Sequence, residues 1–469
     1  MTATATSKLD EQSAPSIFSG ALRTTTVGLI ILISMIAFEA MAVTPALPSA
    51  ARDLHGLSAF GWAFTAFLIA NIVGMVAAGQ LSDIRGPRPG LLAGMVLFIA
   101  GLVIAGTSTT MAQLIASRAV QGIGGGLLIT STYVLIGVSY PEEVRPKVFV
   151  ATSGAWLLPS LLGPLVSGLI TQHINWRWVF LGLLPFVIIG AALMVPVLGR
   201  LDSHDTSKEG LSDPRRLLLA LVVAAGIAVF EGAGQHPSTA TVALAVAGVA
   251  AAVWGVRGLV PPGTFRACPG VSAPIALRAL IAGAFFGTES VIPLMLSQQH
   301  GLDPTAAGLP LAVSGLAWGA GSWWQSREIP GETPKAEETR RVWLLRAGFA
   351  SLSVAIVAIA VTSIPASPAW LAYPGWAFAG LGAGLALTTS SVLLLRHTND
   401  ADRGRDSAAL QLGDTTFSSF TAGSAGVLVA AAAVGSIGYT KAFLTLDALM
   451  LVIAFAGIAV SGRARTLPA

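Results

Sequence analysis

"VGLIILISMIAFEAMAVTPALP", residues 27–48, is an apolar run of membrane-spanning length interrupted by one carboxylate, Glu39. Crossing the hydrocarbon core takes about 20 predominantly apolar residues. An ionisable side chain inside such a run is costly, so by default it marks a functional position. The surrounding chain decides how the stretch is read. Of 469 residues, 54% are hydrophobic and 11% charged, against roughly 25% charged in a soluble domain. The composition predicts an all-α polytopic membrane protein.

Comparable runs lie near 27–49, 60–82, 90–108, 112–138, 148–172 and 177–199, then near 216–233 and 238–256, and then near 272–296, 305–326, 342–363, 368–395, 407–433 and 439–461. The expected count is fourteen spans, ordered six, two, six. This predicts an N-terminal six-helix bundle over 27–199, a linker at 200–215, two extra transmembrane helices within 216–256, a loop at 257–271 holding Cys268, and a second six-helix bundle over 272–461. Tails occupy 1–26 and 462–469. Lys and Arg accumulate in cytoplasmic loops. With both termini cytoplasmic, Arg85, Arg88, Arg145, Lys147, Arg216, Arg278, Arg340, Arg341 and most other basic residues fall on that face; only Arg52, Arg177 and Lys441 fall outside, and Arg118 lies within a span. The expected location is the plasma (inner) membrane, multi-pass, with the lipid bilayer as partner. The stretch "MTATATSKLDEQSAPSIFSG" has no signal-peptide apolar region, and the connections are too short to bury a core. The net charge of +4 reflects loop bias and gives no reason to invoke nucleic acid.

The loop "GQLSDIRGPRPG", residues 79–90, sets glycines around an acid and two arginines at a membrane exit. Glycine serves where the backbone takes positive φ or approaches a neighbour closely, and Asp83 can cap a helix or pair with an arginine. A short basic loop of the ordinary kind also accounts for it. The loop resembles the signature between helices two and three of the major facilitator superfamily, G-x-L-x-D-x-x-G-x-[RK], through Gly79, Leu81, Asp83, Gly86 and Arg88. Ile84 and Pro87 depart from it. The resemblance implies a cytoplasmic gate in which Asp83 and its basic partners, here Arg85 and Arg88, lock the outward-facing state.

A second segment, "RAVQGIGGG" at 118–126, places an arginine ahead of Gly122, Gly124, Gly125 and Gly126. Such glycines allow close helix contact, and Arg118 either faces a cavity or partner or snorkels to the interface. With Gln121, the segment resembles the superfamily's R-x-x-Q-G-x-G helix-four motif, whose arginine is implicated in proton transfer. "SLLGPLVSGLI", 160–170, offers Gly163, Pro164 and Gly168 as a kinked, close-packing face. It resembles the G-P-x-x-G-G element of the antiporter branch, with Ser167 and Pro159 in place of glycines. "NWRWVFLGLLP", 175–185, resembles the W-R-W-[IV]-F stretch of fourteen-span drug:proton antiporters, and its aromatics also suit an interfacial belt. In the second half, "GSWWQSREIPGE" is a degenerate copy of the loop motif at best.

The six-two-six order implies two pseudo-symmetric bundles with a site between them, the first helix of each lining the cavity. Glu39 precedes Pro45 and Pro48 in the first; Glu289, in "GAFFGTESVIPLML", precedes Pro293 in the second. A desolvated carboxylate that takes and releases a proton is what a proton-coupled exporter needs. Glu39 also aligns with the acid of the L-D-x-T-x-V-x-x-A-L-P pattern of the resembling group through Ala46, Leu47 and Pro48, while Met41 and Thr44 depart. Each acid has the alternative of a satisfied structural hydrogen bond. Asp414 is a third candidate; Glu231 and Asp447 rank lower, because linker and outer helices usually lie at the periphery. Candidate cavity walls are Phe38, Asn71, Trp156, Phe285, Phe286 and Trp318, with Asn71 and Phe286 foremost and ordinary packing as the alternative.

The expected function is proton-coupled export of drugs or other lipophilic or cationic small molecules by alternating access, the protons and the substrate being its partners and the monomer its state. The alternative within transporters carries a specific metabolite or lipid. A channel or receptor differs in showing no accumulation against a gradient. The six histidines are scattered with no H-E-x-x-H spacing, which argues against a metal-dependent membrane enzyme, and no G-x-x-x-x-G-K-[ST] loop for a nucleotide is present. No cofactor or metal is expected.

Overall fold

The computed structural model describes residues 17–141, 144–199, 213–235, 239–327, 329, 331, 333–399 and 402–465. Residues 1–16 of the expected N-terminal tail, residues 200–212 of the linker and residues 466–469 of the C-terminal tail lie outside them. The described chain is helical throughout. It begins with α1 (Gly20–Asp53), α2 (Trp62–Arg85), α3 (Pro87–Gly106), α4 (Met111–Ser139), α5 (Arg145–Gly154), α6 (Leu157–His173), α7 (Arg177–Leu181) and α8 (Leu184–Gly199). Two more follow, α9 (Pro214–Gly234) and α10 (Thr239–Leu259). The rest are α11 (Ser272–Glu289), α12 (Ile292–His300), α13 (Pro304–Gln325), α14 (Pro334–Thr362), α15 (Ala372–His397), α16 (Arg403–Ala433) and α17 (Tyr439–Val460).

Helix starts follow local chemistry. Asp213, Asp303 and Thr333 each precede a proline, which fits the first helical position because its missing N–H has no intrahelical partner there. Asp303 accepts from the Ala306 amide at 2.8 Å and Thr333 from that of Ala336 at 3.3 Å. Gly86, at φ 73°, turns the chain between α2 and α3.

Among the described residues, twelve helical stretches are long and apolar enough to cross a membrane, making this a multi-pass membrane protein. Two of the fourteen expected spans do not meet that standard, the first by length and the second by composition. The stretch expected at 148–172 is divided near residues 155–156, leaving α6 with 17 residues, and α13 spends its 22 residues largely on Gly, Ala, Ser and Trp. These two helices pack on each other at backbone distance. A Cβ on Gly168 would stand 2.7 Å from Thr305 Cα, one on Gly308 3.1 Å from the Pro164 carbonyl, and one on Gly315 2.6 Å from the Ser160 carbonyl. Close approach requires small residues, and small residues dilute the apolar signal.

The same economy organises the interior. α4 packs on both α2 and α3 through Gly122, Gly124 and Gly126. Gly122 lies on the Phe67 carbonyl of α2, Gly126 has room for no Cβ against Met75 N (2.6 Å), and Gly124 meets Phe98 N of α3 at the same 2.6 Å. The arrangement recurs in the second half of the chain. α15 sits between α13 and α14, with Gly380 on the Ser314 carbonyl of α13; a Cβ on Gly384 would stand 2.8 Å from Ser322 N of α13, and one on Gly382 3.0 Å from Leu352 N of α14. Around these contacts, α1 packs on α6 and α8, α11 on α15, α16 and α17, and α14 on α17. The two sets of helices meet along α6–α13 and α2–α16. α9 lies against both α2 and α16, whereas α10 packs chiefly on α9 and turns Val242, Leu244, Val246 and Trp254 outward.

Gly382→Val is therefore expected to lower the stability of the detergent-purified protein by about 1–3 kcal/mol through overpacking. Gly137→Ala, with open space around it, should be neutral or slightly stabilising. Thermal unfolding of the three proteins side by side checks both.

Candidate functional site

Glu39 of α1 and Arg118 of α4 find each other. Arg118 is 3% exposed and Glu39 0%, and Arg118 Nη1 donates to Glu39 Oε1 and to Gln121 Oε1. Arg118 Nε donates to the Ala63 carbonyl of α2 at 3.1 Å, and the guanidinium lies over the Phe67 ring, 4.4 Å from its centroid. Arg118 is thus no snorkelling side chain. The glycines that follow it draw α4 against α2, which brings the carbonyl and ring within reach. Glu39 Oε2 and Gln121 Nε2 remain buried without a partner among the described residues.

The second half holds a counterpart. Glu289, at the end of α11, accepts from the indole Nε1 of Trp376 on α15 at 3.2 Å. Trp376 stands four residues before Gly380, as Arg118 stands four before Gly122. In both halves an acid of the first helix meets an N–H donor of the helix that carries the glycine triplet. The donor is a cation in one half and a neutral indole in the other. Phe285 stacks on Trp376 at 5.2 Å and meets Phe286 and Trp318 edge to face at 5.1 and 5.4 Å. Of the expected cavity walls, Phe285, Phe286 and Trp318 therefore form one aromatic cluster beside Glu289. Trp376, not singled out by the sequence reading, completes it.

Asp414 of α16 is not a lone acid. Arg278 of α11 donates to it through Nε at 2.7 Å, to Ser391 Oγ at 2.6 Å and to the Leu387 carbonyl at 3.1 Å. Arg278, near the start of α11, bridges to α15 and α16. Asn71 is buried, and its Nδ2 donates to the Gly122 carbonyl at 3.3 Å, so it ties α2 to α4. Phe38 packs against the main apolar core. Trp156, 37% exposed, helps line a cavity between α1, α4 and the α5–α6 turn, with Ile33, Ile36, Ile129, Thr132, Tyr133 and Thr152.

The loop-motif residues Asp83, Arg85 and Arg88 are exposed, and among the described residues they form no ion pair with one another. Arg216, at the start of α9, is the cation that acts on Asp83, and Gln80 donates to the Asp213 carbonyl. Gly79 has open space around it; only Gly86 needs to be glycine for its backbone. In the antiporter-like element, Gly163 faces Met41 Cβ of α1 at 3.0 Å, Gly168 faces α13, and Ser167 donates to the Ala42 carbonyl. The element is a junction of α1, α6 and α13. Trp176 and Arg177 both donate to Asp53 Oδ2, at 3.0 and 2.8 Å, tying α7 to the end of α1; Trp178 faces outward. Glu231, ranked as peripheral, is fully buried. α9 reaches the seam between the two sets of helices, and only α10 lies at the edge.

A polytopic helical chain with acids buried between its helices is built as a membrane transporter. Residues 29–422 match the family described as the Major Facilitator Superfamily, and the chain belongs to that superfamily. It is 37% identical over 153 residues to Multidrug resistance protein 3 of Bacillus subtilis, covering 33% of this chain and 30% of that one. It is 30% identical over 278 residues to an uncharacterized MFS-type transporter of Mycobacterium tuberculosis, covering 57% and 40%. The matched stretches thus span less than half the length of these relatives. The crystal structure of a POT family transporter in complex with 5-aminolevulinic acid shares the fold at TM-score 0.66 and 14% identity, covering 95% of this chain and 98% of that one. Family and fold are those of transporters, not enzymes.

The Glu39–Arg118 contact has a measurable signature. Arg118→Gln leaves a buried carboxylate without its cation and should cost about 3–5 kcal/mol of stability. Adding Glu39→Gln removes the orphan charge and should restore most of that loss. Equilibrium unfolding of the two single variants and the double variant measures the coupling.

Proposed function

We propose that the protein is a proton-coupled antiporter that exports lipophilic, cationic small molecules across the plasma membrane. In this reading it is a monomer with both termini cytoplasmic, and its fourteen spans form two six-helix bundles with α9 and α10 between them in sequence. The repeated glycine triplet, with an N–H donor four residues ahead of it in each half, supports the two-bundle layout.

The observation that carries the functional reading is the unequal pairing of the two acids. Glu39 has the Arg118 guanidinium as a fixed countercharge. Glu289 has an indole N–H and aromatic walls, and no cation pairs with it among the described residues. Its negative charge is therefore available to a visitor. A proton satisfies it from one side; a cation held by aromatic faces satisfies it from the other, since such faces attract cations. The two compete for one carboxylate, which is the exchange an antiporter performs.

Alternating access supplies the sidedness. Away from the chain termini the two sets are in backbone contact, through Gly168 on Thr305 and Gly61 on Gly426. Toward the termini, Asp83, Arg85 and Arg88 are exposed and Trp156 lines a cavity. We read this as the inward-facing form, with the cytoplasmic lock disengaged. The partial match to Multidrug resistance protein 3 of Bacillus subtilis agrees with export.

The test is efflux of a monocationic dye from cells, with and without a protonophore. Glu289→Gln, inserted at wild-type level, should lower gradient-driven efflux by about tenfold or more. Full gradient-driven efflux in that variant would make Glu289 structural and move the coupling role to Glu39 or Asp414.

A further inference from the structure

The carboxyl of Glu231 is a buried group that the exchange described above does not use. Its exposure is 0%, and neither Oε1 nor Oε2 has a hydrogen-bond partner among the described residues. It stands near the end of α9, in the seam where α2 and α16 come closest. A Cβ on Gly426 would lie 2.6 Å from Glu231 Oε1 and 2.8 Å from Gly61 Cα, and one on Gly61 would lie 2.7 Å from Oε1. The two glycines touch each other and the carboxyl, so the seam has room for this group and nothing larger. Phe230 stacks on Phe420 of α16 at 4.8 Å, and Gly234 lies against Val427. At its other end the same helix meets the loop motif through Gln80 and Asp83. α9 thus touches the transporter at both ends of α2.

No charge on the surrounding elements compensates Glu231. Facing it are Gly61 and Thr65 of α2 and Gly423 and Gly426 of α16. The Thr65 hydroxyl donates to the Gly61 carbonyl at 3.2 Å and is, among the described residues, the one polar side chain that also acts on the carboxyl. The charged residues of the packed helices lie turns away: Asp83 and Arg85 on α2, Arg405, Asp406 and Asp414 on α16, Arg257 on α10, and Arg215 and Arg216 on α9 itself. An uncompensated carboxylate is unfavourable in such a place, whereas the neutral acid fits it.

We propose that Glu231 is a gating carboxyl of the α2–α16 seam: neutral, it fits the sealed seam, and ionised, it favours the open one. When the seam parts on the face away from the chain termini, water entering from that face takes the proton, and resealing requires its return. Opening and ionisation are then linked, each favouring the other. The inference rests on the alternating-access reading and gives the linker helix a part in the cycle.

The experiment reads the seam itself. In a Cys268→Ser background, Gly423→Cys sets a thiol at a position where a Cβ would lie 3.6 Å from Glu231 Oε2 and 3.8 Å from Thr65 Oγ1, ordinary contact distances. Ser436→Cys, in the exposed turn after α16, reports reagent reactivity on the same face. With a membrane-impermeant maleimide and the protein in proteoliposomes, the ratio of seam to turn labelling rates should rise with pH over about 6 to 8, by at most about tenfold per unit for one linked proton. Glu231→Gln should hold that ratio low and independent of pH. A ratio flat with pH in the Glu231 protein, or one that keeps its pH dependence in Glu231→Gln, overturns the proposal. If Glu231→Gln fails to insert, the profile of the Glu231 protein alone decides. Because labelling needs no substrate, a pH-dependent seam without any dye efflux would sink the drug-export reading and leave the gate standing.

Discussion

Two membrane helices can touch backbone to backbone only where neither interposes a side chain, and this constraint shapes the rest of the molecule. α4 and α15 each meet two neighbours through alternating glycines, so each is held on both sides with little freedom to rotate. That fixed rotation aims the side chain four residues upstream. On α4 it is Arg118, on α15 it is Trp376, and each is delivered to the acid of the first helix in its half. These buried polar groups are thus positioned by the absence of side chains one turn away. In a bilayer, where lipid tails are as apolar as leucine and burial alone does not drive helices together, such packing is the main source of specificity.

Much of this was legible in the sequence. Composition and run length declared a polytopic helical membrane protein, and Glu39 and Arg118 stood out because a charge in an apolar run is conspicuous. Their pairing was not legible, since nothing in the chain says which faces of α1 and α4 meet. The glycine triplet could have been found twice, as "GIGGG" at 122–126 and "GLGAG" at 380–384. The second copy lacks a charged residue ahead of it and drew no notice, which is why Trp376 was missed. The partners of Arg278 were not legible, since its three hydrogen bonds lie between helices far apart in the chain. Asn71 drew attention for its polarity and proved to be a clamp. α13 shows a local conflict: the small residues that let it approach α6 also make it less apolar than the other spans.

α9 and α10 are unlike each other, and the expectation that such helices are peripheral holds for only one. α10 presents valine, leucine and tryptophan outward. α9 threads an acid into the meeting line of the two halves. Composition could not separate them, because both are apolar over similar lengths; the signal was a single glutamate near the end of α9, discounted for its place in the chain order.

The neutral indole partner of Glu289 also bears on energetics. On the proposed antiport reading, a carboxylate that holds either one proton or one monovalent cation trades like for like, and such an exchange moves no net charge across the bilayer. The membrane voltage then contributes nothing to it, and the pH difference alone supplies the driving force. A dicationic passenger exchanged for a single proton would carry one uncompensated charge, worth about 2.3 kcal/mol for each 100 mV of potential. A fixed guanidinium beside Glu289, like the one beside Glu39, would remove that vacant charge; on the proposed reading, tryptophan at position 376 in the place of a cation sets what the voltage can do.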